Sequence, residues 1–295
     1  MPATIISGTA IAASLREELS ERVQGIVAEG DRPPCLKVLL VGDHPASTSY
    51  VRAKGRAARA VGFSGETIHL QDDISEADLL ARIADLNDDP QVDGILVQLP
   101  LPPHIDETAV IHAIDPRKDV DCFHPTNAGL LAAGAPYLAP CTPAGIIHMI
   151  RRSHIDTVGK HAVILGRSNI VGRPMASLLL QRGIDATVTV CHSKSAQLTA
   201  LCQSADILIA AIGRAEFVGP DMVKPGATVI DVGINRVDDP TRERGYRLVG
   251  DVAFDRVSHI AGYITPVPGG VGPMTIATLL ENTLHAYQSR REVQD

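Results

Sequence analysis

The chain has no tryptophan, and aromatic side chains make up only 3% of its 295 residues. Its cores must therefore be aliphatic, and a hydrophobic content of 45% suits helices layered on sheets. Cysteine is sparse too: residues 35, 122, 141, 191 and 202 are scattered, odd in number and form no C-x-x-C pair. That argues against a disulfide framework or a zinc site and for reduced thiols in a cytoplasm. No apolar run approaches the roughly 20 residues needed to cross a bilayer. The start, MPATIISGTAIAASLREEL, lacks a basic segment before an apolar block, so no signal peptide is expected. A formal net charge of −7 gives no reason to expect nucleic acid or an anionic membrane as a partner.

What is present is most informative at His161 to Pro174, HAVILGRSNIVGRP. His161 to Leu165 reads as a buried strand that stops at Gly166. Gly172 follows, and Met175 to Leu180 reads as the apolar face of a helix. A strand that turns through glycine into a helix aims backbone N–H groups and the positive end of the helix dipole at one spot, which suits a phosphate or pyrophosphate. The spacing departs from G-x-G-x-x-G, because Arg167 and Ser168 stand where the extra glycine would be. A second strand, Ala186 to Val190, runs into Cys191-His192-Ser193-Lys194. Enzymes that use NAD usually carry an acid near this point to bind the ribose 2′-OH. Here Ser193 stands between His192 and Lys194, with Arg167 available from the first loop. A carboxylate would repel a 2′-phosphate, whereas these groups can donate to it, so the expected cofactor is NADP. The bland alternative is a basic surface loop.

Elsewhere helices and strands alternate. Ile11, Leu15, Leu19, Val23, Ile26 and Val27 keep helical spacing, with Gly30 as a stop. Leu36 to Val41 is a strand, and Ser47 or Ser49 is expected to cap a helix ending at Gly62. A strand near Glu66 to Leu70 precedes a helix with a capping-box-like start at Ser75 and Asp78. Gly94 to Leu99 is a buried strand, and Thr142-Pro143 reads as the N-cap and first residue of a helix. Strands are expected at Asp206 to Ile212 and Ala227 to Val232, and a final helix from about Met274. Repeated βα units in a chain of this length predict two α/β domains with mainly parallel sheets.

Sites in such sheets form at the carboxyl ends of strands. Tyr50 and Lys54 share one helix face, a ring platform beside an amine or simply a surface pair. Gln98 ends the apolar strand, where a ligand or a neighbouring loop must satisfy its amide. In Asp115-Pro-Arg-Lys-Asp-Val-Asp121, alternation sets Asp119 and Asp121 on the same side; a carboxylate there could hold a planar heterocycle or cap Arg117 or Lys118. The segment Tyr263 to Thr275, YITPVPGGVGPMT, combines stiffening prolines with glycines that admit close approach, which favours binding over turn chemistry alone.

Together Tyr50-x-x-x-Lys54, GILVQLPLP, DPRKDVD, CTPAGI, GRSNIVGRP, CHSK, DVGIN and YITPVPGGVGPMT resemble the bifunctional methylenetetrahydrofolate dehydrogenase/cyclohydrolase family over nearly the whole chain and in its order. The resemblance implies NADP-dependent oxidation of 5,10-methylene- to 5,10-methenyl-tetrahydrofolate, then hydrolysis to 10-formyl-tetrahydrofolate at a shared site. It implies that Lys54 is catalytic, that Tyr50 stacks on the folate, that Gln98 partners the lysine and that Asp121 holds the pterin. Leu99 joins them at the substrate. Pro268, Gly269, Gly270 and Gly272 would border folate and nicotinamide, and Gly166, Arg167, Ser168, Ser193 and Ile234 would contact NADP. The implied architecture is an N-terminal α/β catalytic domain, 1–137, onto which the C-terminal helix 272–295 packs back. A Rossmann-like NADP domain spans 138–271, and the folate lies in the cleft between them. A cytoplasmic homodimer without a resident metal is also implied.

One residue departs from the pattern: Cys122 stands where glycine is expected after Asp-Val-Asp, which puts folate affinity in question. The chain has no G-x-x-x-x-G-K-[ST] loop, so no ATP-dependent ligase activity is expected. Two other readings compete. One is a two-domain NADP-dependent dehydrogenase of a small acid, which would ignore folates. The other is a nucleotide-sensing module, which would not need Lys54.

Overall fold

The computed structural model describes residues 2–292. It opens with a short strand, β1 (Thr4–Ile5), and a long helix, α1 (Gly8–Ala28), whose Ala12, Leu15, Leu19 and Val23 are buried along one stripe. Next come β2 (Cys35–Val41), α2 (Pro45–Ala60), β3 (Ser64–Leu70), α3 (Glu76–Asp88) and β4 (Gly94–Val97). Three helices follow: α4 (Glu107–Ala113), α5 (Pro125–Ala132) and α6 (Cys141–Arg152). Then β5 (His161–Leu165), α7 (Gly172–Leu179), β6 (Thr187–Cys191), α8 (Leu198–Gln203), β7 (Ile207–Ala210) and β8 (Thr228–Asp231) alternate. A hairpin of β9 (Asn235–Asp238) and β10 (Tyr246–Val249) precedes α9 (Phe254–Val257), β11 (Tyr263–Ile264) and the closing helix α10 (Val271–Glu292).

The chain divides into two compact units, Met1–Ala12 with Thr142–Thr275 and Ala13–Cys141 with Ile276–Asp295. The first carries a wholly parallel six-stranded sheet in the order β1-β11-β8-β7-β5-β6. Its direction of winding reverses at β5, which has β7 on one side and β6 on the other. That is where a Rossmann-like sheet opens a crevice beyond its strand ends. Val163, Leu165, Leu208, Val229 and Ile264 form its aliphatic core. The second unit carries a parallel sheet in the order β3-β2-β4, packed through Leu39 and Ile95 against Leu79 and Ile83 of α3. Among the described residues no helix is long and apolar enough to cross a membrane.

Several helix starts differ from the sequence expectation. Neither Ser47 nor Ser49 caps α2: the helix begins earlier, at Pro45, whose fixed φ suits the first turn, and Ser47 is buried inside it. The helix expected from Thr142-Pro143 starts at Cys141, so Thr142 lies within it and its hydroxyl meets that of Thr275 at 3.0 Å. The last helix begins at Val271 rather than near Met274, because Pro273 fits a first turn and does not block it. Ser75 does cap α3, accepting the Asp78 N–H at 3.1 Å.

Candidate functional site

In the three-stranded unit, α2 and the end of β4 bring Tyr50, Lys54 and Gln98 together. Lys54 is only 3% exposed; its Nζ donates to Gln98 Oε1 at 3.1 Å and sits 5.2 Å from the centre of the Tyr50 ring. Gln98 spends its remaining polarity on the Leu99 carbonyl, to which Nε2 donates at 2.7 Å. Its oxygen and one of its N–H groups are therefore paired within the protein, which fixes the position of the lysine. Tyr50, Gln98 and Leu99 are half-buried, so the group borders solvent.

The DPRKDVD segment assigns its charges to separate tasks. Asp115 pairs with Arg117 at 2.7 Å. Lys118, 2% exposed, donates to the carbonyls of Leu86, Asn87 and Asp89 at 2.9, 2.6 and 2.7 Å, closing the C-terminal end of α3. Asp119 is buried and accepts from the N–H groups of Cys122 and His124 and from the Asn127 amide. Burial, with the nearby Asp121 charge adding to it, pushes the Asp119 carboxyl up to about 6 despite those donors. Asp121 is different. It is half-buried, and among the described residues its carboxylate is met by one weak donor, the Cys141 thiol at 3.7 Å. The two carboxylates that alternation sets on one side thus divide into a structural acid and one whose acceptor capacity is spare.

Two residues that the sequence did not single out hold this end of the segment. The Cys141 thiol, whose one proton serves either acceptor, also reaches the Val120 carbonyl at 3.3 Å, and Lys54 is close enough to act on it electrostatically. Asn282 of α10 donates to the carbonyls of Val120 and Ala139 at 2.9 and 2.8 Å. No local pattern announces either role, because their partners are far away in sequence.

In the six-stranded unit, Gly166 ends β5 with φ +118°, and a Cβ there would run into the Ala211 carbonyl. A Cβ on Gly172 would run into Gly166 itself, so the turn needs both glycines. Ser168 accepts from the N–H groups of Val171 and Gly172 at 3.1 and 3.4 Å and fixes the start of α7. Arg167 is exposed beside it. After β6, the Ser195 hydroxyl accepts the His192 N–H at 2.9 Å, and His192 Nδ1 accepts from Lys194 N–H at 3.1 Å; Ser193 and Lys194 face outward. A cradle with no room for side chains, beside exposed hydroxyl and cationic groups, fits a pyrophosphate and a 2′-phosphate. Farther along the same sheet end, Ile234, 59% exposed, borders a cavity of about 150 Å³ with Leu248, Pro268, Gly269, Gly270 and Gly272.

Comparison with known proteins agrees with both halves of this geometry. Residues 6–121 match the family model described as tetrahydrofolate dehydrogenase/cyclohydrolase, catalytic domain, and residues 140–291 match its NAD(P)-binding domain. The chain is 58% identical to the bifunctional protein FolD of Acidiphilium cryptum, covering 99% of this chain and 100% of that one. It is 55% identical to that of Salinibacter ruber, covering 98% and 97%. Among solved structures, the Trypanosoma brucei methylenetetrahydrofolate dehydrogenase-cyclohydrolase, complexed with NADP cofactor and inhibitor, is 40% identical over 100% of both chains with a TM-score of 0.93. The Campylobacter jejuni bifunctional enzyme is 47% identical, covering 98% and 99%, with a TM-score of 0.91. The chain belongs to the tetrahydrofolate dehydrogenase/cyclohydrolase family.

Proposed function

We propose that the protein oxidises 5,10-methylene-tetrahydrofolate to 5,10-methenyl-tetrahydrofolate with NADP and hydrolyses the product to 10-formyl-tetrahydrofolate at a shared folate site. The observation that carries this reading is a buried amine fixed by an amide, in the same unit as a carboxylate whose acceptor capacity is spare. Asp121 accepts N–H donors of the pterin, the Tyr50 ring stacks on the substrate, and Gln98 with Leu99 holds the Lys54 amine in place. Gly166, Arg167, Ser168 and Ser193 hold the phosphates of NADP, and Ile234 packs beside the nicotinamide. Pro268, Gly269, Gly270 and Gly272 shape the reacting end.

NADP, when bound, accepts the hydride that leaves the methylene carbon. For that step the chain's contribution is orientation, because the folate nitrogens stabilise the resulting cation and no side-chain base is required. Hydrolysis is different. Water adds to the methenyl carbon, its proton must leave, and the ring N5–C bond must break with a proton delivered to N5. Lys54 holds or moves that proton at Nζ.

The outward-facing Ser193 and Lys194 at the end of β6 support NADP over NAD. The test is turnover of methylene-tetrahydrofolate with each cofactor, followed at the absorbance of the methenyl product. A much larger kcat/KM with NADP is expected; equal use of both, or no turnover, overturns the reading. We further assign the protein as a cytoplasmic homodimer. The exposed β3 forms one edge of its sheet, pairing among the described residues only with β2, and the five cysteines are free, as in a reducing compartment.

A further inference from the structure

Asp251 lies just after β10 and is fully buried, yet its carboxylate collects four N–H donors. Oδ2 accepts from the backbone of Ile212 at 2.7 Å and Gly213 at 3.0 Å. Oδ1 accepts from the backbone of Arg214 at 2.8 Å and from the Asn235 side chain at 2.9 Å. Arg214 contributes only its backbone here, since its guanidinium lies 4.3 Å over the Phe217 ring. The charge is thus balanced by oriented dipoles from two loops, one leaving β7 and one leaving β8.

A second buried acid extends the network. Asp231 Oδ1 accepts from Gly233 N–H at 3.0 Å and from Asp251 N–H at 2.9 Å, and Oδ2 accepts from Val252 N–H at 2.9 Å. A Cβ on Gly233 would run into the Asp251 carboxylate, so the glycine lets this loop close down on it. Ile234 therefore projects from a segment held on both sides, by Asp231 at the Gly233 backbone and by Asp251 at the Asn235 side chain. The loop held at 212–214 begins beside Ala211, whose carbonyl abuts Gly166 of the phosphate turn. One carboxylate thereby spans the strand ends that carry the cavity wall and the neighbour of the phosphate cradle.

We propose that Asp251 is a positioning residue for the NADP-dependent reaction: its carboxylate sets the loop that carries Ile234 and the loop that begins beside the phosphate turn, and hydrolysis of methenyl-tetrahydrofolate does not depend on it. This rests on the assignment of Ile234 and Gly166 to NADP. Asp251→Asn preserves volume but turns an acceptor toward the N–H groups of one loop into a second donor, leaving those groups unpaired. NADP affinity, read by fluorescence titration with NADPH and needing no folate, should weaken at least tenfold, and KM for NADP should rise by a similar factor. Cyclohydrolase turnover of methenyl-tetrahydrofolate without NADP should stay within twofold. Unchanged NADPH affinity, or loss of both activities in proportion to the folded fraction, overturns the proposal. If Asp251→Asn does not fold, Asn235→Ala removes one of the four donors and should still weaken NADPH binding severalfold with hydrolysis intact; no effect there also overturns it. A wild-type protein that binds NADPH but ignores folates would instead refute the proposed function and leave the role of Asp251 readable by titration.

Discussion

Replacing Lys54 with methionine separates the two chemistries. The side chain is 3% exposed, and its amine is held by Gln98 at 3.1 Å. Losing a charged hydrogen bond costs about 1.5–3 kcal/mol, but the variant also escapes the penalty of burying an ammonium, and the thioether fills most of the volume. These effects oppose each other, so net stability should change by no more than about 1.5 kcal/mol, the usual limit for volume-conserving swaps. On the proposed mechanism hydrolysis then lacks its proton-handling group and should fall by roughly 10²–10⁴-fold. That corresponds to about 3–5 kcal/mol of transition-state stabilisation. Hydride transfer needs orientation and no base, so dehydrogenase activity should persist, reduced by poorer seating of the folate. Methenyl-tetrahydrofolate would then accumulate during turnover. The assay is paired initial rates on methylene and methenyl substrates with purified Lys54→Met. Cyclohydrolase activity at the wild-type level would refute the reasoning and move the proton-handling role to another residue.

Two further perturbations follow from the same geometry. Arg167→Ala or Ser193→Ala should raise KM for NADP roughly 10–100-fold, the equivalent of one charge-assisted contact, while the weak reaction with NAD stays nearly unchanged; steady-state kinetics with both cofactors checks this. Lys118→Met should destabilise the protein by about 2–4 kcal/mol, because three half-buried carbonyls at the end of α3 lose their donor together. Urea denaturation measures that loss, and activity per folded molecule should be unchanged; a midpoint indistinguishable from wild type would show that the three contacts contribute nothing.

Local signals in the sequence were enough where structure is local. The packing of Gly172 on Gly166 in the glycine turn, the capping pair at Ser75 and Asp78 and the helix-face pairing of Tyr50 with Lys54 each depend on residues close in sequence. Roles set by distant partners were not legible. Alternation placed Asp119 and Asp121 alike, but amides from Cys122, His124 and Asn127 claim only the first. Asp251 gathers donors from residues 212 to 235, and nothing around it in sequence announces that.

Cys122 shows both sides. A glycine is expected there, and the residue does adopt φ +63°, the left-handed region that glycine favours. The strain of a side chain in that conformation is about 1–2 kcal/mol. It is opposed by burial of the thiol and its hydrogen bond to the Leu138 carbonyl at 3.2 Å. The turn into the Asp119 cap is therefore kept, with the Cys122 N–H donating to Asp119 Oδ1 at 3.1 Å.

The most direct test of a single folate site serving both reactions is Asp121→Ala. Dehydrogenase and cyclohydrolase rates should fall together, because both need the pterin in one pose, and NADPH affinity by fluorescence titration should match the wild type, because Asp121 lies in a different unit from the residues proposed to hold NADP. Loss of only one activity, or loss of NADPH binding, would contradict it.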